Sequence, residues 1–189
     1  SINSFIDFDD PFDIIAHLMV GSEGTLAFLS EAVLKTTTDY PYKASAMAYF
    51  ANMHLACETV KKLKSSPVSA AEFFDRKAIR SVEDKFETIP ELKTLPDDSA
   101  ALLIKIEALN EYELRDKILQ VEKVLSDSQT LLPVHFTDKE SEYKVYWDMR
   151  SGIFPSVGST RPLGTTCLIE DVAFSIEDLA EATDDLHEI

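Results

Sequence analysis

The sequence is short of the features that would reveal a role at a glance. Its 189 residues include two cysteines, one tryptophan and five glycines. Cys57 and Cys167 stand 110 positions apart, with no C-x-x-C and no ligand spacing to a histidine. Two such thiols make neither a disulfide framework nor a metal or redox motif, and they suit a reducing compartment. No apolar run approaches the roughly 20 residues that a membrane-spanning helix needs, and no basic, apolar leader opens the chain. The expected location is the cytoplasm, with the inner face of a membrane as the outer limit.

Basic residues are scarce as well. Eighteen Lys and Arg stand against 34 Asp and Glu, for a net charge of −16, and no basic run is longer than a pair such as Lys61–Lys62. Nucleic acids and anionic lipids are held through clustered Lys and Arg, so this balance excludes both as partners. The rest is ordinary globular material, 45% hydrophobic and 28% charged. A chain this long suits one full domain plus something extra, and it buries enough surface to fold without staples. It begins at Ser1 without an initiator Met and stops at Ile189 inside a helical pattern, which suggests a piece of a longer protein.

Along the chain, Pro11 to Leu18 reads as a short helix with Pro in its first turn and Asp10 as N-cap. A turn with two glycines follows, then a strand from Phe28 to Lys35. Asp39, Tyr40 and Pro41 mark a domain boundary. Beyond it Lys43 to Phe50 is strand-like. Asn52 to Lys64 carries Met53, Ala56, Val60 and Leu63 on one helical face. Val68 to Phe74 reads as a second strand and Arg76 to Asp84 as a short helix. In Ala100 to Leu109, Leu102, Ile104, Ile106 and Ala108 alternate with Lys105 and Glu107. Glu111 to Asp127 puts Leu114, Ile118, Val121 and Leu125 on one helical stripe, and Leu131 to Phe136 completes the set as a fourth strand. The order β-α-β-β-α-β is that of a ferredoxin-like α+β domain, an antiparallel sheet with helices on one face. Further on, Lys139 to Arg150 is helical, and Ser151 to Thr166, with three Gly and two Pro, is an irregular loop. Thr166 to Phe174 is a strand. Ser175 then opens a last helix, with Asp178 completing a capping box and Leu179, Ala182 and Leu186 on the buried side.

Several residues are candidates for chemistry. Gly21 and Gly24 allow close approach to the backbone, and amides in such a turn can face phosphate oxygens. The turn is neither a Walker A loop nor a Rossmann fingerprint, and without further information it is an ordinary connection between helix and strand. Tyr143, Trp147 and Arg150 share a helical face at spacings of four and three. The plain reading is Arg150 stacked on Trp147 over apolar surface. The sharper one is a fork for a carboxylate, which guanidinium geometry fits. Arg161 is either a solvated loop residue or a second carboxylate contact. Glu170 and Asp171 point to opposite faces of their strand and make no acid/base pair. His17, His54, His135 and His187 are scattered, with no metal-ligand spacing. His54 reads as packed or solvated, and His135 is the one to follow. No metal site is expected.

The run Val20-Gly21-Ser22-Glu23-Gly24-Thr25-Leu26-Ala27, with Ser30-Glu31-Ala32 after it, closely resembles the signature of FAD-linked oxidases of the vanillyl-alcohol-oxidase type. Position 27 departs from the family pattern, which has Gly there. The likeness continues through Glu72-Phe73-Phe74-Asp75-Arg76, Trp147-Asp148-Met149-Arg150 and Asp171-Val172-Ala173-Phe174. It is strongest with D-lactate and D-2-hydroxyglutarate dehydrogenases, and among them with long bacterial flavoproteins fused to an iron–sulfur domain.

The resemblance implies FAD in the intact protein, touched by Gly21, Ser22, Glu23, Gly24 and Thr25 largely through backbone, and an iron–sulfur cluster in another domain. It implies that residues 1–40 are the C-terminal strip of the FAD-binding domain and that residues 41–189 are the substrate (cap) domain, truncated at its C-terminus. Arg150 would hold the carboxylate of a D-2-hydroxy acid while hydride passes to flavin. The remaining FAD-binding domain and the C-terminal segments, with a histidine base, would be supplied by the rest of the protein, and the fragment alone would be inactive. Two other classes stay open at this point: a non-catalytic ligand-binding or assembly module, since fold does not fix function, and a flavin oxidase of the same fold acting on another alcohol.

Overall fold

The computed structural model describes residues 2–165 and 173–188 and divides into two compact units, Ser1–Asp39 and Tyr40–Ile189. The first holds two helices, α1 (Ser4–Asp7) and α2 (Pro11–Met19). Asp10 caps α2 as its sequence suggests, its Oδ1 accepting from the amides of Phe12 at 2.8 Å and Asp13 at 3.2 Å. His17 is tied locally, with Nδ1 2.7 Å from the Asp13 carbonyl oxygen and its ring stacked on Phe8 at 3.8 Å. The expected strand from Phe28 to Lys35 does not form: residues 31–40 join no helix or strand. Strand geometry is held by a neighbouring strand, and among the described residues no strand lies beside Phe28 to Lys35.

The second unit is built on β1 (Tyr42–Phe50), α3 (Met53–Leu63), β2 (Ala70–Asp75), α4 (Arg76–Arg80), β3 (Ala100–Ala108), α5 (Glu111–Ser126), α6 (Glu140–Thr160) and α7 (Leu179–Glu188). Short 3-10 turns at Glu83–Lys85 and Pro90–Thr94 lie between α4 and β3. The sheet is antiparallel with β3 central, in the order β1-β3-β2. Its register sets Ser45 opposite Lys105, Met47 opposite Leu103 and Glu72 opposite Leu103 on the other side.

One face of the sheet carries Ala44, Ala48, Phe50, Leu102, Ile104 and Ile106. Against it pack Ala56 and Leu63 of α3 and Leu114, Val121 and Leu125 of α5, as their spacing predicts. Asn52 and Asn110 start these helices by accepting from the amides three residues on, each at 2.9 Å. The fold is thus α+β, an antiparallel sheet with its two long crossover helices on one side. The opposite face is covered too. Met47, Tyr49, Phe74, Ala101 and Leu103 meet Ile79, Val82, Ile89, Leu92 and Leu95 from the connection after β2, together with Met149 of α6.

Four expectations need correction. Leu131 to Phe136 is not a strand: it runs beside β1, to which the Leu131 amide donates at the Tyr49 carbonyl, but ladder pairing is limited to isolated bridges at its two ends, Phe50 with Thr130 and Ser45 with Thr137. Pro133 has no N–H to give a ladder, and Leu131 and Leu132 stay exposed. The stretch Arg76 to Asp84 is one turn of α-helix followed by 3-10 rather than a single helix. The region after Arg150 is helical to Thr160, although Gly152, Pro155 and Gly158 lie inside it. An interior Pro costs about 3 kcal/mol; here Ile153 packs in the second core and Ser156 donates to the Ser81 carbonyl and receives from Lys85 Nζ at 3.1 Å. Tertiary contact overrides local preference.

Finally, α7 starts at Leu179 after a turn over 176–178, in which the Ser175 hydroxyl meets the Asp178 carboxylate. Its buried residue is Ala180, while Leu186 is exposed. α7 lies on α3, where Thr183 Oγ1 stands 3.5 Å from Cys57 Sγ and His54 Nδ1 stands 2.8 Å from Asp184 Oδ2. The expected strand at 166–174, with Cys167, Glu170 and Asp171, lies outside the described residues for all but its last two positions, which have no regular structure.

Candidate active site

The two regions that the sequence singles out fall in different units, and each is described by itself. The glycine turn is built from two tight reversals after α2. The Ser22 amide donates to the Met19 carbonyl at 3.2 Å, with Val20 at φ −67°, ψ 120° and Gly21 at φ 79°. That is a type II turn, whose third position needs positive φ and therefore glycine. The Thr25 amide and hydroxyl both donate to the Ser22 carbonyl, at 2.9 and 2.6 Å. Glu23 at φ 48° and Gly24 at φ 75° occupy the two central positions of this second turn. The bonds of the turn use the amides of Ser22 and Thr25 and leave those of Glu23 and Gly24 out. A Cβ added at Gly24 would meet no atom within 4 Å, so the backbone there is open to a flat neighbour.

The second region lies where α6 crosses the sheet. Met149 is fully buried, which fixes the helix against the apolar end of that face. At the other end the face turns polar: Ser45, Lys105, Glu107 and Glu72 come from three adjacent strands on one side of the sheet. Trp147 Nε1 donates to Ser45 Oγ at 3.0 Å, and Lys105 Nζ sits 5.7 Å from the Trp147 ring centre. Lys105 also pairs with Glu107 at 3.1 Å. One helical turn from Trp147, Arg150 Nε donates to Glu72 Oε2 at 3.1 Å. The stacked arrangement is therefore not the one adopted: the cation recorded over Trp147 is Lys105, and Arg150 reaches β2 instead. With Nε engaged, the edge of the guanidinium that carries its two terminal nitrogens is left for another planar anion. Arg150 is half exposed. Glu72 as the partner of Arg150, and Lys105 as that of Trp147, were missed because the sheet register that places them is not visible in local spacing.

Arg161 forms the C-terminal boundary of α6, with extended backbone. Eleven residues of helix separate it from Arg150, about 16 Å along the axis. The structure does not join these two arginines at one point.

Clefts indent the described part of this unit, three of them well defined. One of about 640 Å³ is lined by His135, Lys139, Ser141, Glu142 and Tyr146 among others. Burial raises the Tyr146 phenol, helped by Glu91 and Glu142. A second, of about 510 Å³, lies beside the His54–Asp184 pair, and a smaller one adjoins the end of α5. None of the three is lined by Arg150. Burial also raises Tyr49, whose hydroxyl has no partner among the described residues, and the Cys57 thiol. Among the described residues no group of three or more His, Cys, Asp or Glu could hold a metal, and no helix is long and apolar enough to cross a membrane.

Comparison with known proteins adds two findings. The family model described as FAD linked oxidases, C-terminal domain, matches residues 40–189. The chain is 23% identical over 177 residues to glycolate oxidase subunit GlcD of Bacillus subtilis (strain 168), an alignment covering 93% of this chain and 36% of that protein. The chain therefore spans little more than a third of the length of this relative.

Proposed function

Given that the chain belongs to the family of FAD-linked oxidases, through the C-terminal domain that covers residues 40–189, we propose that it is part of a flavin-dependent dehydrogenase that converts a D-2-hydroxy acid to the 2-oxo acid. The observation that carries this reading is the Arg150 guanidinium, held by Glu72 and half open to solvent. A carboxylate beside the reacting carbon gives every 2-hydroxy acid a planar anion that such a fork binds in two hydrogen bonds. Glycolate, named in the relative, is the smallest acid of this class. A neutral alcohol or sugar would leave the guanidinium without a purpose, and a non-catalytic module would have no use for the glycine turn.

FAD would supply the hydride acceptor. The turn at Gly21, Ser22, Glu23, Gly24 and Thr25 fits contact with it through backbone: Glu23 and Gly24 hold their amides outside the bonds of the turn, and the space over Gly24 is clear. The charges nearby favour a neutral part of the cofactor. No Lys or Arg precedes Lys35, Glu23 lies in the turn, and Asp7, Asp9, Asp10 and Asp13 precede it. The C-terminal end of α2 adds partial negative charge. The turn thus suits the ring system or the sugar-alcohol hydroxyls, rather than the phosphates that glycine turns often serve.

In this reading residues 1–40 are the closing strip of the flavin-binding domain, and residues 41–189 hold the substrate. Arg150 fixes the carboxylate and so orients the hydroxyl-bearing carbon, a gain in positioning. Arg161, about three helical turns further on, lies too far along α6 to share the carboxylate that Arg150 would hold. The remainder of the flavin-binding domain and the group that takes the hydroxyl proton come from elsewhere in the protein, and an iron–sulfur domain on the same polypeptide would carry the electrons onward.

The test uses the whole flavin-loaded protein under anaerobic conditions. Glycolate and the D- and L-forms of lactate and 2-hydroxyglutarate are added in turn while flavin absorbance is followed. Bleaching by a D-acid, with the Michaelis constant raised at least tenfold by Arg150→Lys, is the expected result. Indifference of the bound flavin to all of them would overturn the reading.

A further inference from the structure

The salt bridge between Arg150 and Glu72 invites a question that the clamp alone does not answer. An acidic partner cancels the net charge that the guanidinium presents, which for a group meant to attract a carboxylate looks self-defeating. The geometry resolves this. Glu72 takes the Nε side of the fork, at 3.1 Å, and Nε is the nitrogen whose direction fixes the plane of the whole guanidinium. A long side chain on a half-exposed helix face would otherwise sample many rotamers, and each binding event would have to freeze them.

Both ends of the contact are anchored. Glu72 sits in β2, in register with Leu103 of the central strand, which is fully buried. Arg150 follows the fully buried Met149, and one turn earlier Trp147 ties α6 to Ser45 of β1. The helix thus bridges the sheet from β1 to β2, and the Glu72 carboxylate is a fixed point against which the arginine is aligned.

We propose that Glu72 is a positioning residue for substrate binding: it holds Arg150 by Nε so that the two terminal nitrogens face the place where a substrate carboxylate arrives. This rests on the reading of Arg150 as the carboxylate fork. Glu72 itself touches no substrate. What it contributes is an acceptor at a fixed point, and its charge is the cost of that acceptor.

The distinction can be tested, because position and charge respond differently to substitution. Glu72→Gln keeps an oxygen acceptor for Nε and removes the charge. Affinity for the acid should stay within about twofold of the parent or improve. Glu72→Met keeps the length and removes the acceptor. The Michaelis constant should then rise about tenfold with the turnover number changed less than twofold, and the dissociation constant of oxalate, a non-oxidisable carboxylate measured by calorimetry on the flavin-loaded protein, should rise in parallel. In an Arg150→Ala background Glu72→Met should have no further effect, since the residue acts only through the arginine.

A Glu72→Met variant that binds oxalate and substrate like the parent would overturn the proposal, as would one that weakens both equally with Arg150 absent. Loss of affinity in Glu72→Gln as large as in Glu72→Met would do the same, by showing that charge and not alignment is what matters. If Arg150→Ala leaves both constants unchanged, the carboxylate fork itself is wrong and the proposal falls with it. If Arg150→Ala is impaired and Glu72→Met is not, only the proposal falls.

Discussion

The two units of this chain use apolar side chains in opposite ways. In residues 40–189 they are packed inside: every buried hydrophobic of the described residues, from Ala44 to Ala180, belongs to this unit. In residues 1–39 they lie outside. Phe5, Ile6, Phe12, Val20, Leu26, Phe28, Leu29, Val33 and Leu34 are each more than half exposed, and Phe28 and Val33 almost completely so. Both stretches read as hydrophobic in sequence, but only one closes a core on itself. Fewer than about 40 residues rarely do so unaided. Hydrophobic content measures how much surface a segment needs to hide, not where it hides it.

The sharpest way to break this comparison is by truncation of paired apolar residues. Ile104→Ala, in the fully buried central strand, should cost 2–5 kcal/mol in denaturant unfolding, roughly the range for large-to-small changes in cores. Val33→Ser should shift the same midpoint by less than about 0.5 kcal/mol. Equal effects would mean that the first unit is packed after all.

Helix caps sharpen the same contrast with a smaller effect. Asn110 and Asp10 do the same job, accepting backbone amides at the start of α5 and α2. Asn110→Ala should lower global stability by about 1 kcal/mol, because α5 is welded to the core. Asp10→Ala should reduce far-ultraviolet helicity and leave the main unfolding transition where it was.

The smallest effect concerns pH. The Glu142 carboxylate is held below its ordinary range, chiefly by the Thr137 hydroxyl and then by Lys139. A lowered carboxylate pKa gives stability that is present above the unfolded value and is lost as pH falls through the folded one. The described contacts place this tie at the start of α6, in the second unit alone. Melting temperature should therefore fall slightly as pH drops below about 4.5, and Glu142→Gln should flatten that part of the profile. A fall of the same size in Glu142→Gln would assign it to other carboxylates, Glu113 and Glu177 being held down in the same way by Lys117 and Lys64.

What was legible in the sequence follows the same division between local and distant causes. β3 and α5 were legible because their periods of two and of about 3.6 are set by burial on a regular element. Asp10 was legible because a cap acts within a few residues. The length of α6 was not: Gly152, Pro155 and Gly158 are local signals for a loop, and they yield to Ser81, Lys85 and the second core, which are distant in sequence. The strand expected at 131–136 failed for the opposite reason, a local one that apolar content masked, namely the missing N–H of Pro133. At the candidate site, Arg150 stood out as a cation on an aromatic face, but its partner lies 78 positions earlier. The identity of an unusual residue can be read from a sequence; what holds it is written in the sheet register.

Trp147 is the only tryptophan of the chain, and its indole N–H is bonded to Ser45 while Lys105 stands over its ring. This chain therefore carries one indole fluorophore, placed at the crossing of α6 and the sheet and one turn from Arg150. Its emission is a local reporter that needs no label. It will respond to anything that lifts the helix or changes the charge beside it, and it stays blind to events in the first 39 residues that leave this crossing undisturbed.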